Sequence, residues 1–399
     1  MAVRISCGLV LLFAVKALVQ PPAKSEQVQV LGCFGGSKPN STRCQDGKCF
    51  YRCVHPNSNS TELACKEQET LHMVGVSAGG ISWACQDLIR PELEYDHLYS
   101  DVGDFACQLS AACRVGEGGT GCFLVSRLPK RLESLHEDLL QSAREFFSLP
   151  PDQKEQLDYH LSPEFRGFMR QGAENTAGAV DEREQIEFGR EESRPVRSRE
   201  EPHTLYNRLR GPNLWPEQPT SLRPLMTSWL AEMEELSRQL TRALAVSLGL
   251  TETGLDAYFR EPHVQAKLVH YPTPAKDAEG GLLGVGPHSD SGFLTLLLQD
   301  SSGGLDFLDA SGGWVEATPQ PASVVCNLGE VVQLITGGRY PATVHRVRRP
   351  TVAGRLSAPF FWNPSLDVEV QPLDLAGKVP SLTGRPEEAQ NRMLQRWPR

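Results

Sequence analysis

Long apolar runs, blocks of like charge and internal repeats are all missing from this 399-residue chain, and each absence removes a class of function. The longest uncharged, mostly apolar stretch, Ile5 to Val15, is closed by Lys16, well short of the roughly 20 residues that a membrane-spanning helix needs. Lys and Arg are interleaved with Asp and Glu, and the formal net charge is −9. A nucleic-acid partner would need a clustered basic footprint, so none is expected. Paired Cys-x-x-Cys units are absent too, which weakens a structural zinc reading. What is present is ordinary for a globular protein: 40% hydrophobic and 22% charged residues, in a chain long enough for one large core or two smaller ones.

The N-terminal quarter has its own texture. Met1 to Arg4 is a short basic start ahead of the apolar run, which fits a secretory signal peptide over residues 1–20, with entry to a plastid by that route as a variant. Of eleven cysteines, Cys33, Cys44, Cys49, Cys53, Cys65 and Cys85 fall between residues 25 and 95. Such a cluster in an exported chain reads as a disulfide framework. Two sequons, Asn40-Ser41-Thr42 and Asn59-Ser60-Thr61, lie in the same stretch and suit a lumenal or secreted segment. Periodicity there is weak, so residues 25–95 are expected to form a loop-rich appendage that could meet a partner. Cys107, Cys113, Cys122 and Cys326 fall in expected core elements and are read as small buried hydrophobes.

From about residue 100 the pattern is regular. Residues 104–114 have helical spacing, and Gly121 to Val125 forms a strand-like run. Leu128, Leu132, Leu135, Leu139 and Phe146 recur at helical spacing up to Leu149-Pro150-Pro151, a firm stop. Leu222, Leu225, Trp229, Met233, Leu236, Leu240 and Leu244 mark a second long helix that closes at Gly249. After Leu250 short strand-like runs separated by turn residues follow: 267–271, 293–299, 305–308, 323–327, 331–335, 343–347 and 357–362. The architecture expected is α+β, a helical region over 100–255 against an all-β domain over 260–375, with a tail at 376–399.

Chemistry concentrates in that β region. His288-Ser289-Asp290 precedes a continuous apolar strand, and residues two apart in an extended chain face the same way. His345 supplies a second imidazole from a segment where Thr343, His345 and Val347 share one face. Two imidazoles and one carboxylate on one face of an octahedron leave three positions open, the arrangement of iron(II) oxygenases. Ten residues past His345, Arg355 and Ser357 again face one way. Arg suits bidentate capture of a carboxylate, and Tyr271 can add a phenol hydrogen bond.

The stretch from Lys267 to Pro372 resembles the C-terminal domain of the isopenicillin N synthase-like family of 2-oxoglutarate- and iron(II)-dependent oxygenases. The resemblance is carried by Tyr271-Pro272, the run from His288 to Asp300, Gly303 to Leu305, Asn327 to Gly329, Gly338 to Val347 and Arg355 to Ser357. It implies a distorted jelly-roll core, iron held by His288, Asp290 and His345, and 2-oxoglutarate contacted by Arg355, Ser357 and Tyr271. It further implies a non-haem dioxygenase that uses O₂ on a small-molecule substrate, with succinate and CO₂ as coproducts and ascorbate as an accessory reductant. Three departures stand out: Ser126-Arg127-Leu128 replaces an Asn-His-Gly turn, Val269 replaces an Asn of many plant members, and Glu330 stands where Asp is commoner. An iron oxidase of the same fold that needs no 2-oxoglutarate, and an inactive secreted binding module, are the competing readings.

Overall fold

The computed structural model describes residues 92–114, 119–176, 178–194, 202–273, 283–310, 312–350 and 354–373, together with the backbone of six strands between residues 30 and 87. The expected signal peptide, the side chains of the six clustered cysteines and the two sequons, and the tail at 376–399 lie outside the described residues.

The chain divides into two units, residues 1–90 and 91–399. The first contains β1 (Val30–Cys33), β2 (Asn40–Gln45), β3 (Lys48–Arg52), β4 (Glu62–Lys66), β5 (Glu69–Ser77) and β6 (Gly80–Asp87). They form two three-stranded sheets, ordered β1-β6-β5 and β2-β3-β4, where weak periodicity had pointed to loops.

The second unit opens with β7 (Glu92–Glu94), α1 (Tyr95–Ser100), α2 (Val102–Cys113), β8 (Cys122–Ser126), α3 (Lys130–Phe147) and α4 (Pro151–Glu155). Next come β9 (Gly167–Met169), the hairpin β10 (Asn175–Thr176) and β11 (Ala179–Val180), β12 (Glu184–Gly189) and α5 (Leu222–Ser247). The remainder is β13 (Pro262–Tyr271), β14 (Leu283–His288), β15 (Leu294–Gln299), β16 (Leu305–Leu308), β17 (Trp314–Glu316), β18 (Val324–Leu328), α6 (Glu330–Ile335), β19 (His345–Arg348) and β20 (Arg355–Ser365). Eight strands pair in the order β7-β8-β18-β15-β20-β13-β12-β9, and four in the order β14-β19-β16-β17. The two sheets make a jelly-roll core.

Alternation along the strands separates two apolar clusters. Phe123, Ile186, Phe188, Leu268, Leu296, Phe360 and Trp362 turn outward and pack with the helices. Cys122, Leu124, Val269, Tyr271 and Val325 turn inward, against Val285, Leu305, Phe307 and Val347 of the small sheet. Helix α5 forms because its buried residues Leu222, Met226, Trp229, Met233, Leu236, Leu240 and Leu244 recur every three or four positions. It ends at Gly249, whose φ of 82° fits the left-handed residue that closes a helix.

Three expectations need correction. The region over 100–255 is less helical than expected: besides the anticipated strand β8, β9 and β12 also join the large sheet. The run 331–335 is helical: Val332 and Ile335, three apart, are buried while Leu334 is exposed, so a helical period overrides β-branching. Cys113, Cys122 and Cys326 are buried as expected, but Cys107 is disulfide-bonded. It sits half-buried on the polar side of α2, beside exposed Gln108.

Candidate metal centre

His288 ends β14 and His345 opens β19, and the two stand directly opposite each other in the pairing of those strands. Asp290 lies just past the end of β14, so convergence comes from this cross-strand pair and the turn after it, beyond the simple two-residue alternation. His345 Nε2 is 3.8 Å and His288 Nε2 4.0 Å from Asp290 Oδ1. One ligand atom from each residue lies within 4.8 Å of the others.

The surroundings leave those three atoms free. His288 Nδ1 is 2.9 Å from the Gly286 carbonyl and His345 Nδ1 is 3.1 Å from that of Thr343, so each ring donates backward and turns a bare Nε2 toward Asp290. Asp290 Oδ2 accepts from Thr295 Oγ1 at 2.6 Å and from Asn327 Nδ2 at 2.9 Å, which leaves Oδ1. The Asp290 carbonyl accepts from the Glu330 amide at 2.8 Å, so the first turn of α6 braces the ligand turn. A side chain at Gly329 would place its Cβ 2.2 Å from the Gly292 carbonyl, so this approach requires glycine. The Glu330 carboxylate, longer than the commoner Asp, accepts from Ser289 Oγ at 2.9 Å.

Burial, then the neighbouring His345, pushes the His288 imidazole down to about 4, so the ring is neutral near pH 7. Burial would raise the Asp290 carboxyl, but His345, His288 and the donors Thr295 and Asn327 hold it below its ordinary value. Two imidazole nitrogens and a carboxylate oxygen aimed at one point suit a divalent transition-metal ion.

Arg355 lies on the large sheet, 1% exposed. Its Nε donates to the Gly303 carbonyl at 2.8 Å, Nη1 to Ser357 Oγ at 2.9 Å and Nη2 to Gln299 Oε1 at 3.3 Å. Tyr271 lies opposite it on β13, with the guanidinium over its ring at 5.0 Å from the centroid. Among the described residues no carboxylate pairs with this guanidinium; Asp300 is committed to the Leu356 amide and to Ser302. A buried cation without a counter-charge is costly unless a ligand supplies one, and a keto-acid's far carboxylate fits.

The structure therefore gathers His288, Asp290 and His345, and separately Arg355, Ser357 and Tyr271. Sequence reasoning missed Thr295, Asn327, Gln299 and Arg183, the last of which pairs with Glu174 and Asp181. Thr295, Gln299 and Asn327 are polar residues in otherwise apolar strands, whereas Arg183 lies just ahead of β12. Arg127, in place of the Asn-His-Gly turn, adopts a φ of 56° and pairs with Glu94 at 2.9 Å, so the turn survives in another form.

Comparison with known proteins bears on this geometry. Residues 263–364 match the family described as the 2OG-Fe(II) oxygenase superfamily, and residues 93–218 match the N-terminal region described as non-haem dioxygenase in morphine synthesis. Clavatol oxidase of Penicillium crustosum is 30% identical over 73% of this chain and 88% of its own length. A 2-oxoglutarate-dependent dioxygenase of a Dothideomycetidae fungus is 32% identical over 63% and 68%. Homoarginine-6-hydroxylase of Arabidopsis thaliana is 29% identical over 60% and 67%. Among solved structures, a 2OG-Fe(II) oxygenase family protein of Caulobacter crescentus aligns with a TM-score of 0.62 and 26% identity, over 77% of this chain and 99% of its own.

Proposed function

Because this chain belongs to the 2-oxoglutarate- and iron(II)-dependent oxygenases, we propose that His288, Asp290 and His345 hold the iron while Arg355, Ser357 and Tyr271 hold the far carboxylate of 2-oxoglutarate. The protein is a non-haem dioxygenase that oxidises a small molecule and decarboxylates 2-oxoglutarate to succinate. Bound iron, with O₂ and the keto-acid, supplies the oxidising chemistry. The residues of the chain do the rest. Gly286 and Thr343 fix the imidazole tautomers, Thr295 and Asn327 orient the carboxylate, and Gln299 and Ser357 hold the guanidinium in place. The inward apolar side chains Val269, Leu305, Phe307 and Val347 exclude water from the interior. Hydroxylation, desaturation and ring closure of the substrate all remain within this chemistry.

The observation that carries the reading is the pairing of three convergent ligand atoms with a buried guanidinium that has no carboxylate partner among the described residues. Anaerobic addition of iron(II) and then 2-oxoglutarate, followed by visible absorption, should show a band that requires both. Succinate should then form in step with O₂ uptake. O₂ uptake indifferent to omission of 2-oxoglutarate would establish the oxidase reading instead.

We also propose that residues 1–20 direct the chain to the secretory pathway and that residues 25–95 form a disulfide-stapled appendage that meets a partner. The six clustered cysteines and two sequons support this. Complete labelling of those thiols in the secreted protein without prior reduction counts against it.

A further inference from the structure

The inward face of β12 and β13 carries charge that the metal centre does not use. In the pairing of these strands Glu187 stands opposite Lys267 and Gln185 opposite Val269. Val269 and Tyr271 face the interior, so by alternation Lys267 and Glu187 belong to the same wall. Lys267 Nζ lies 2.6 Å from Glu187 Oε1 and 3.4 Å from Glu174 Oε1. Arg183 Nη2 lies 2.6 Å from Glu174 Oε2 and 3.0 Å from Asp181 Oδ2. The Arg355 guanidinium lies over the Tyr271 ring on the same wall, 5.0 Å from its centroid. One series of ion pairs thus runs from Glu187 through Lys267, Glu174 and Arg183 to Asp181, on the wall that also carries Tyr271.

Stability does not require this arrangement. Replacing a buried ion pair by apolar residues of similar volume is often neutral or stabilising, and the outward face of the same strands packs with Ile186, Phe188, Ala266 and Leu268, none of them charged. Two atoms on the wall also have no hydrogen-bond partner among the described residues: Gln185 Oε1, an acceptor, and Arg183 Nε, a donor, both buried. Burying such an atom without a partner is costly. Glu187 and Asp181 side chains are closed off at 2% exposure, whereas Lys267, Arg183 and Glu174 keep 12%, 16% and 22%. The reachable charges are therefore of both signs. An anion alone would face Glu174, a cation alone would face Lys267 and Arg183, and an apolar ligand would strand all three.

We infer that Lys267, Arg183 and Glu174 recognise the substrate, and that the substrate is a small zwitterion, with an anionic group for the two cations and a cationic nitrogen for Glu174. The inference rests on the oxygenase reading and adds a substrate class to it. Glu187, Gln185 and Gln265 position Lys267 from behind: Glu187 accepts from Gln265 at 2.8 Å and from Gln185 at 3.0 Å.

Three probes of equal chain length test it: L-norleucine, n-hexanoate and n-hexylammonium, titrated by calorimetry into protein loaded with iron(II) and 2-oxoglutarate under nitrogen. Norleucine should bind at least about 10-fold more tightly than either singly charged probe. The double variant Lys267→Met with Glu187→Gln, which removes one charge of each sign at similar volume, should erase that preference while 2-oxoglutarate affinity and the thermal midpoint stay at wild-type values. Glu174→Gln should weaken norleucine and hexylammonium together and spare hexanoate. Singly charged probes that match or exceed norleucine, or no binding by any of the three, overturn the inference. If 2-oxoglutarate still binds in that experiment the oxygenase reading stands; if it fails to bind wild-type protein, that reading falls instead.

Discussion

The two faces of the eight-stranded sheet are built from the same strands to opposite ends. On the outward face β12, β13, β15 and β20 present Phe188, Leu268, Leu296 and Phe360 to the helices, all at 1% exposure or less. On the inward face the same strands present Glu187, Lys267, Thr295 and Arg355, each committed to a polar partner. One residue along a strand changes the solvent of a side chain from hydrocarbon to a hydrogen-bonded cavity. Stability is therefore concentrated outside and chemistry inside, and substitutions should separate the two.

The sharpest separation is expected at His345. His345→Ala should lower succinate formation by about 1,000-fold or more, because the ion loses one of three ligands. Folding should survive, since no outward packing is touched. Turnover and a thermal melt, measured on the same preparation, check both halves. A variant that keeps turnover, or loses its cooperative melt, breaks the division.

Trp229→Ala is the converse. Trp229 is fully buried in α5 and meets the Phe360 ring edge-on at 5.9 Å. Its removal should cost about 3–5 kcal/mol, read as a lower urea midpoint, while turnover per folded molecule is kept. Loss of turnover at full occupancy of the folded state would show that the outward face transmits directly to the metal.

The same division explains what could be read from the sequence. Helix α5 and strands β15, β16, β18 and β20 were legible because their apolar residues recur at 3.6 or 2. The ligand set was legible because rare residue types sat at fixed offsets. Strands β9, β12 and β14 were not. Glu184 to Gly189 reads as a mixed polar run until the inward side is known to be a polar cavity, and the pairing that completes β14 is contributed by β19, some sixty residues on. The run 331–335 misled for a related reason: local β-preference suggested a strand, and the close approach of Gly329 to Gly292 instead starts a helix there. Thr295 and Asn327 were hidden inside apolar strands, where a single polar residue carries no offset to read.

His136 asks whether the helical layer tolerates charge at all. It is 5% exposed on α3, its Nε2 has no hydrogen-bond partner among the described residues, and burial lowers its pKa from 6.5 to about 4. A base depressed in the folded state leaves the unfolded chain to take the proton first. Its stabilising contribution is therefore complete above pH 6.5 and is lost as pH falls from there toward 4. The loss is on the order of 3 kcal/mol. Because other histidines titrate too, the measurement is a difference: urea midpoints of wild type and His136→Leu at pH 7.5 and pH 5. The wild type should fall further on acidification. Parallel curves would mean that the site hydrates or that the ring shifts to meet its charge.

The smallest effect tests the inward face at its finest grain. Asn327 and Thr295 touch no ligand atom, yet together they occupy Asp290 Oδ2 and so leave Oδ1 facing the imidazoles. Removing such an orienting donor typically costs about 10–100-fold in metal affinity or activity. Asn327→Ala and Thr295→Val should each fall in that range for iron affinity, measured by competition with a chelator, with little change in 2-oxoglutarate affinity at saturating iron. The two donors share one oxygen, so their effects should be coupled and not simply additive: once one is gone the carboxylate can rotate, and the second loss should then matter less. Full additivity in the double variant would mean that Asp290 is held by its backbone bond from Glu330 alone, and that the polar residues of the inward face serve packing as the outward ones do.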